Sequence, residues 1–242
     1  LKPVEASTQI VQRDRYAEAI LLLALIASSL EKIATELREL QRSEIGEVRE
    51  AFGKSQVGSS TMPHKMNPMT SERICGLSKV IRGIVIPALE NVTYWNERDL
   101  TQSSTERFII PTAFIVVDYI LHLTTRVLST LSVNVSKMRD NMSLTGGAFM
   151  SESVMLALTR KGLARQEAHE VVRQIAVSSV SEEKKFGLAL LEDKRIEKYM
   201  TKKEIEAALN PQNYLGTTEA QIAIALRTAR KQLSLNSKRT RK

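Results

Sequence analysis

The chain has 242 residues, 43% hydrophobic but only 5% aromatic, with ten glycines and six prolines. That is ample core for one large or two modest domains and fits a mainly helical protein better than a sandwich or barrel. A lone cysteine, Cys75, excludes an internal disulfide and fits a reducing cytosol, while the longest uncharged apolar stretch, Ala19 to Leu30, is too short to span a membrane.

Between Pro3 and Gly46 there is no breaker, and Ile20, Leu23, Ala24, Ala27, Leu30, Ile33, Ala34 and Leu37 recur at helical spacing. The spacing predicts one helix of about 35–40 residues, roughly 55 Å long. Leu21, Leu22 and Leu25 widen its apolar stripe, as in a helix covered from several sides by other subunits. A second helix is predicted from Ser71 to about Trp95, kinked by Pro87, and a third from about Thr105 to Leu131 with Pro111 near its start. Gly146-Gly147 marks a break, and a helix from Ala148 to Lys161 ends at Gly162. Shorter helices follow at about 166–180, 187–199, 202–209 and 219–232, with capping boxes at Thr201…Glu204 and Thr218…Gln221. The expected architecture is all-α. A long-helix bundle occupies 1–161 and carries a loop at 53–68, and a small all-helical domain occupies 162–235. The formal charge of +8 is concentrated late, with seven basic residues and no acid in 227–242. Residues 236–242 are read as a solvated, disordered basic tail with no nucleic-acid or membrane contact.

The segment richest in chemistry is Gly58-Ser59-Ser60-Thr61-Met62-Pro63-His64-Lys65-Met66-Asn67-Pro68. Serine hydroxyls near a fixed cation suit a nucleophile or base with its anion stabiliser beside it. Gly53 and Gly58 free the first half of the loop, and Pro63 and Pro68 stiffen the second, as a closing catalytic loop requires. Neither His122 nor His169 has a second histidine or a cysteine at ligand spacing, so no metal site is expected. Met62, Met66 and Met69 suit packing around the loop.

This string resembles the signature loop of the fumarase/aspartase superfamily, Gly-Ser-Ser-x-Met-Pro-x-Lys-x-Asn-Pro, at every fixed position. His64 at the second variable position is similar to the adenylosuccinate lyase or cycloisomerase branch. The run from Trp95 to Arg107, with Glu97-Arg98-Asp99 and Ser103-Ser104-Thr105-Glu106-Arg107, resembles an adenylosuccinate lyase segment, as does Ser7-Thr8-Gln9 followed by Gln12-Arg13-Asp14. The resemblance runs from residue 1 to about 230 and matches only the later part of a full-length lyase. The family's N-terminal domain and its general-acid histidine have no counterpart.

The resemblance implies elimination of fumarate from adenylosuccinate, giving AMP, and from SAICAR, giving AICAR. It implies a cytoplasmic homotetramer with shared active sites, a small-molecule nucleotide substrate, and neither cofactor nor metal. Carried over by position, Ser59 is the general base and Ser60 binds substrate. Lys65 and Asn67 hold the succinyl carboxylates. Arg98, Ser103 and Arg107 form a phosphate clamp, and Gln9 hydrogen-bonds substrate. Met66, Ser104, Thr105 and Glu106 fall within the matched strings as further substrate contacts. Arg73 stands where the family has Asn or Arg. The alternatives are a related lyase or cycloisomerase acting on a phosphate-free acid, and an inactive helical assembly fragment.

Overall fold

The computed structural model describes residues 5–6, 8–51, 66–96, 99–182 and 184–239, with side chains as far as Leu233. Ser7, Ser59, Ser60, His64, Lys65 and Arg98 lie outside the described residues, as does most of the loop at 53–68. The chain divides into two units, 1–138 and 139–242.

The first unit is a three-helix bundle of α1 (Asp14–Leu40), α2 (Met69–Glu90) and α3 (Thr101–Ser129). On α1 the buried residues Ala17, Ile20, Ala24, Ala27, Leu30, Ala34 and Leu37 follow the 3.6-residue period. Alanine dominates this stripe, so α2 and α3 approach closely and insert Ile74 and Ile81 from one side, and Ala113, Val117 and Ile120 from the other. Each fully buried isoleucine contributes about 1.5–3 kcal/mol. The hydroxyl of Ser78, wholly buried on α2, donates to the carbonyl of Ala27 at 3.0 Å and of Ile74 at 2.9 Å, so its burial leaves no unpaired donor. Ion pairing of Glu31 with Arg82 and contact of Thr35 with Cys75 (3.6 Å) show that α1 and α2 run antiparallel.

Two short strands, β1 (Val48–Arg49) and β2 (Ser132–Val133), pair antiparallel with Val48 opposite Val133. Val48 of β1 packs with Leu37 and Val127 in a small core. Helix α4 (Val135–Met142) then spans the division between the units.

In the second unit Gly146 (φ +59°) and Gly147 (φ +95°) make the entry turn. A Cβ on Gly146 would lie 3.1 Å from Lys185 Cα, so backbone conformation and close packing both call for glycine. A 3₁₀ turn, Ala148–Met150, leads into α5 (Ser151–Arg160), and α6 (Arg165–Ser181), α7 (Phe186–Glu192), α8 (Lys194–Glu197) and α9 (Lys202–Leu209) follow. Val154, Leu158, Phe186, Leu190 and Ile196 are fully buried in their midst. The final helix is α10 (Thr218–Arg239).

Several expectations are corrected. Helix α1 begins at Asp14, because Arg13 is tied sideways to Glu106 and to the carbonyl of Val11, and it stops at Leu40 ahead of a turn completed by Gly46 at φ +60°. Helix α3 starts at Thr101, so Pro111 sits in its interior and removes the N–H that would bond to the carbonyl of Arg107. The predicted helix at 187–199 is two, divided at Asp193, whose carboxylate caps α8 through the N–H of Arg195. The capping box at Thr201 and Glu204 forms. The one at Thr218 does not: that hydroxyl donates to Leu215 carbonyl at 2.6 Å, and the side-chain amide of Gln221 donates to the hydroxyl of Thr217 at 2.8 Å. Helix α5 packs into the second core, which moves the division from near residue 162 to 138/139. Helix α10 continues to Arg239, so much of the expected disordered tail is helical.

Candidate active site

Antiparallel packing gives the bundle two ends, each holding part of the predicted site. At the first end the signature loop returns to α2. Its last residues, Met66, Asn67 and Pro68, line an open groove of about 710 Å³ with Thr35, Arg38, Arg49 and Glu72. The Met66 carbonyl accepts from the side-chain amide of Gln41 at 3.1 Å. The N–H of Met69 donates to the carbonyl of Asn67 at 2.9 Å, which turns the chain into the helix. One turn along, exposed Arg73 donates to the hydroxyl of Tyr119 on α3 at 3.1 Å.

At the second end the start of α1, the end of α2 and the start of α3 converge. Arg13 forms a two-pronged pair with Glu106, at 2.5 Å through Nε and 3.2 Å through Nη2, and both side chains are mostly buried. This geometry is bidentate and shielded, so it is worth more than an exposed pair. Its guanidinium also lies over the ring of Tyr16, 5.2 Å from the centroid. The pair ties the residue before α1 to the start of α3; Gln9, four residues earlier in the chain, is exposed. The Glu106 carboxylate, expected among the substrate contacts, is engaged by Arg13 in this structure.

Ser103 and Arg107 lie four apart on α3, on one face, with Ser103 half-buried and Arg107 exposed. Ser104 is exposed, and half-buried Thr105 bonds back to the carbonyl of Thr101 at 3.4 Å. The helix start is organised by Asp99. Its carboxylate accepts from the Thr101 hydroxyl and N–H (3.0 Å to the latter) and from the Trp95 N–H at 2.7 Å. The Thr101 hydroxyl, then these amides, hold the Asp99 carboxyl below its ordinary range.

Among the described residues no group of three or more His, Cys, Asp or Glu side chains is placed to hold a metal. His122 and His169 are exposed on separate helices. Sequence reasoning singled out the two ends but not the side chains that build them: Gln41 and Glu50 at the first, Arg13 and Asp99 at the second. Arg13 and Asp99 stand inside the matched strings. Gln41 and Glu50 carry no local signal, because their partners lie up to 25 residues away in sequence.

The two ends are not one site within a single chain. Helix α2 between them has 22 residues, about 33 Å at 1.5 Å per residue.

Comparison with known proteins bears on the whole chain. Residues 2–83 match the family described as Lyase, and residues 147–225 the one described as Adenylosuccinate lyase C-terminus. The adenylosuccinate lyase of Aquifex aeolicus is 52% identical over 215 residues, covering 89% of this chain and 49% of the relative. That of Methanothermobacter thermautotrophicus is 48% identical over 234 residues, covering 96% and 52%. The chain thus spans about half the length of the curated relatives it matches. Among solved structures, the 3-carboxy-cis,cis-muconate lactonizing enzyme of Pseudomonas putida superposes with a TM-score of 0.83 at 28% identity, covering 91% of this chain and 49% of that one. The fumarate lyase of Mesorhizobium sp. BNC1 gives 0.77 at 27%, covering 86% and 45%.

Proposed function

The chain belongs to the adenylosuccinate lyase family of the fumarase/aspartase superfamily of lyases, and from that premise we propose that it forms part of a cytoplasmic enzyme that eliminates fumarate from adenylosuccinate and from SAICAR. The observation that carries this reading is identity near one half, along nearly the whole chain, to two adenylosuccinate lyases. The reaction removes a proton from the carbon beside a carboxylate and breaks the carbon–nitrogen bond. Negative charge gathers on that carboxylate. Ser59 takes the proton, and Lys65 and the loop amides stabilise the alkoxide that makes serine a base. Lys65 and Asn67 hold the carboxylates, one by charge and one by hydrogen bond. Arg98, Ser103 and Arg107 hold the phosphate. The acid for the leaving nitrogen comes from the part of the enzyme outside this chain.

The site is completed between copies of the chain in a homotetramer. Two features support this. Asn67 lies just before the start of α2 and Ser103 in the first turn of α3, beyond the other end of α2, which is about 33 Å long; a second bundle lying antiparallel to the first would bring such residues together. The bundle also exposes Leu25 (65%), Ile86 (64%), Phe108 (76%) and Ile115 (67%) on three helices, an apolar surface a soluble single chain would not keep. The most apolar stretch of α3, with a mean hydropathy of 1.6, is long enough to cross a membrane. Its part in the bundle core, together with Asp118 within it, supports covering by other helices instead.

The phosphate-free alternative draws on the likeness to the lactonizing enzyme, but that likeness is at 28% identity and leaves the Arg98…Ser103…Arg107 set without a ligand. The test is fumarate release by the complete enzyme from adenylosuccinate and SAICAR, with conversion of 3-carboxymuconate, which would lactonize without releasing fumarate, followed by its ultraviolet absorbance. Release from the first two only is expected; turnover of the third alone would replace this reading.

A further inference from the structure

The bond network beside the signature loop has no part in the chemistry above. Helix α2 begins with Pro68 at its N-cap position, and proline has no side-chain oxygen to accept from the first turn. The cap arrives from another element. Glu50, half-buried directly after β1, accepts from the Ser71 N–H at 2.7 Å and the Ser71 hydroxyl at 2.5 Å through one oxygen. Through the other it accepts from the Thr70 N–H at 3.2 Å. These are orphan donors at the positive end of a helix, where a carboxylate is favoured. Ser71 is fully buried, so loss of Glu50 leaves its hydroxyl and amide without this acceptor.

Gln41 connects the same two strands of chain. It is the C-cap of α1, and its side-chain oxygen accepts from the Glu50 N–H at 2.9 Å while its side-chain nitrogen donates to the Met66 carbonyl at 3.1 Å. One amide thus spans residues 50 and 66, the near and far flanks of the signature loop. The β1/β2 ladder fixes the near flank, since Arg49 pairs with Ser132 directly before Glu50. The end of α1 fixes Gln41.

We propose that Gln41 and Glu50 are positioning residues of the lyase reaction: together they clamp residue 50, Met66 and the first turn of α2, and so set where Asn67, between Met66 and that turn, stands. The proposal rests on the lyase reading. It explains why a side-chain amide and a carboxylate are placed here rather than apolar residues: only groups with acceptors, and in Gln41 a donor as well, join three backbone segments at once. A misplacement of about 1 Å at reacting groups costs about 10²-fold in rate.

The test uses the complete enzyme with two independent readouts, hydrogen exchange at the Thr70 and Ser71 amides and the kinetics of fumarate release from adenylosuccinate. In Glu50→Ala, exchange at these amides should rise about 10- to 100-fold while Ile81 and Ile120 stay protected. The turnover number should fall about 10- to 100-fold, with a smaller change in KM. Glu50→Gln keeps one acceptor oxygen and should recover part of both. Gln41→Glu keeps the acceptor for Glu50 N–H but loses the donor to Met66, and should lower kcat by a smaller factor. Unchanged exchange at Thr70 and Ser71 overturns the clamp. Lost protection with unchanged kcat overturns its role in positioning, and loss of protection throughout the bundle with no recovery in Glu50→Gln reduces Glu50 to a folding determinant. If the wild type releases no fumarate, the reaction assignment fails, and the exchange result still decides whether Glu50 holds the helix.

Discussion

The bundle and the small second unit bury their apolar residues in different ways. In the second unit, Phe186, Leu158, Leu190 and Ile196 are completely enclosed by five short helices, α5 to α9, and the core is satisfied within the unit. In the bundle the inner stripe is built of alanines and isoleucines, and Leu25, Ile86, Phe108 and Ile115 are left on the outside. The second unit leaves apolar residues outside its core on α6 and α10, such as Val180 and Ile222, whereas in the bundle they stand on all three core helices, and every predicted site residue falls in that unit. In the function proposed above, the long helices do two jobs: they present pieces of the site at their ends and carry the surface that brings other copies to those ends.

The contrast is sharpened most by Ser59→Ala. Turnover in the complete enzyme should fall by at least ~10²–10⁴-fold with substrate still bound, because one proton-transfer group is lost. Stopped-flow kinetics with equilibrium binding checks this, and near-normal turnover would move the base to Ser60. Phe186→Ala tests the other side. It should lower the stability of the second unit by about 3–5 kcal/mol, the usual cost of emptying a buried aromatic site. Exchange should accelerate in α6 and α7 and not in α1 to α3; equal acceleration in both would show that the two units unfold as one.

Arg107→Ala should raise KM for adenylosuccinate about 10- to 100-fold with a smaller change in kcat, since a charge-assisted contact to phosphate is lost. A collapsed kcat at unchanged KM would give Arg107 another role. Light scattering at micromolar concentration should show a tetramer of the wild-type chain. Ile115→Glu should shift it toward smaller species without altering the circular dichroism of α5 to α9. A clean wild-type monomer would break both the comparison and the shared site.

The smallest effect is one of pH. The Glu204 carboxyl is lowered from 4.5 to about 2, first by Lys161 at 2.6 Å and then by the amide and hydroxyl of Thr201. A lowered folded-state value means its contribution is present above about pH 4.5 and is lost as pH falls toward 2. The pair is exposed, so the loss in stability is small. Carboxyl chemical shifts of Glu204 should titrate near 2, and Lys161→Met should move the midpoint upward; no movement would remove Lys161 as the main cause.

Legibility varied with the range of the interactions. The bounds of α9 were readable because Thr201 and Glu204 cap it within four residues. Gly162 at φ +99° ends α5 as its position implied. The start of α1 was not readable, because Arg13 pairs with a residue 93 positions away. Nor was the β1/β2 ladder, whose strands have two residues each and no period to detect. The partner of Glu106 was hidden for the same reason: its place in a matched string said nothing of Arg13.

The sequence by itself determined the class of fold, the lyase family and the strings that hold the candidate site, because helical periodicity and motif spacing are written in neighbouring residues. Only the tertiary structure decided that those strings stand at opposite ends of α2, and that Gln41 and Glu50 join the flanks of the loop. Both depend on antiparallel packing of helices far apart in the chain, whose partners are chosen by burial across the bundle and leave no mark on local spacing.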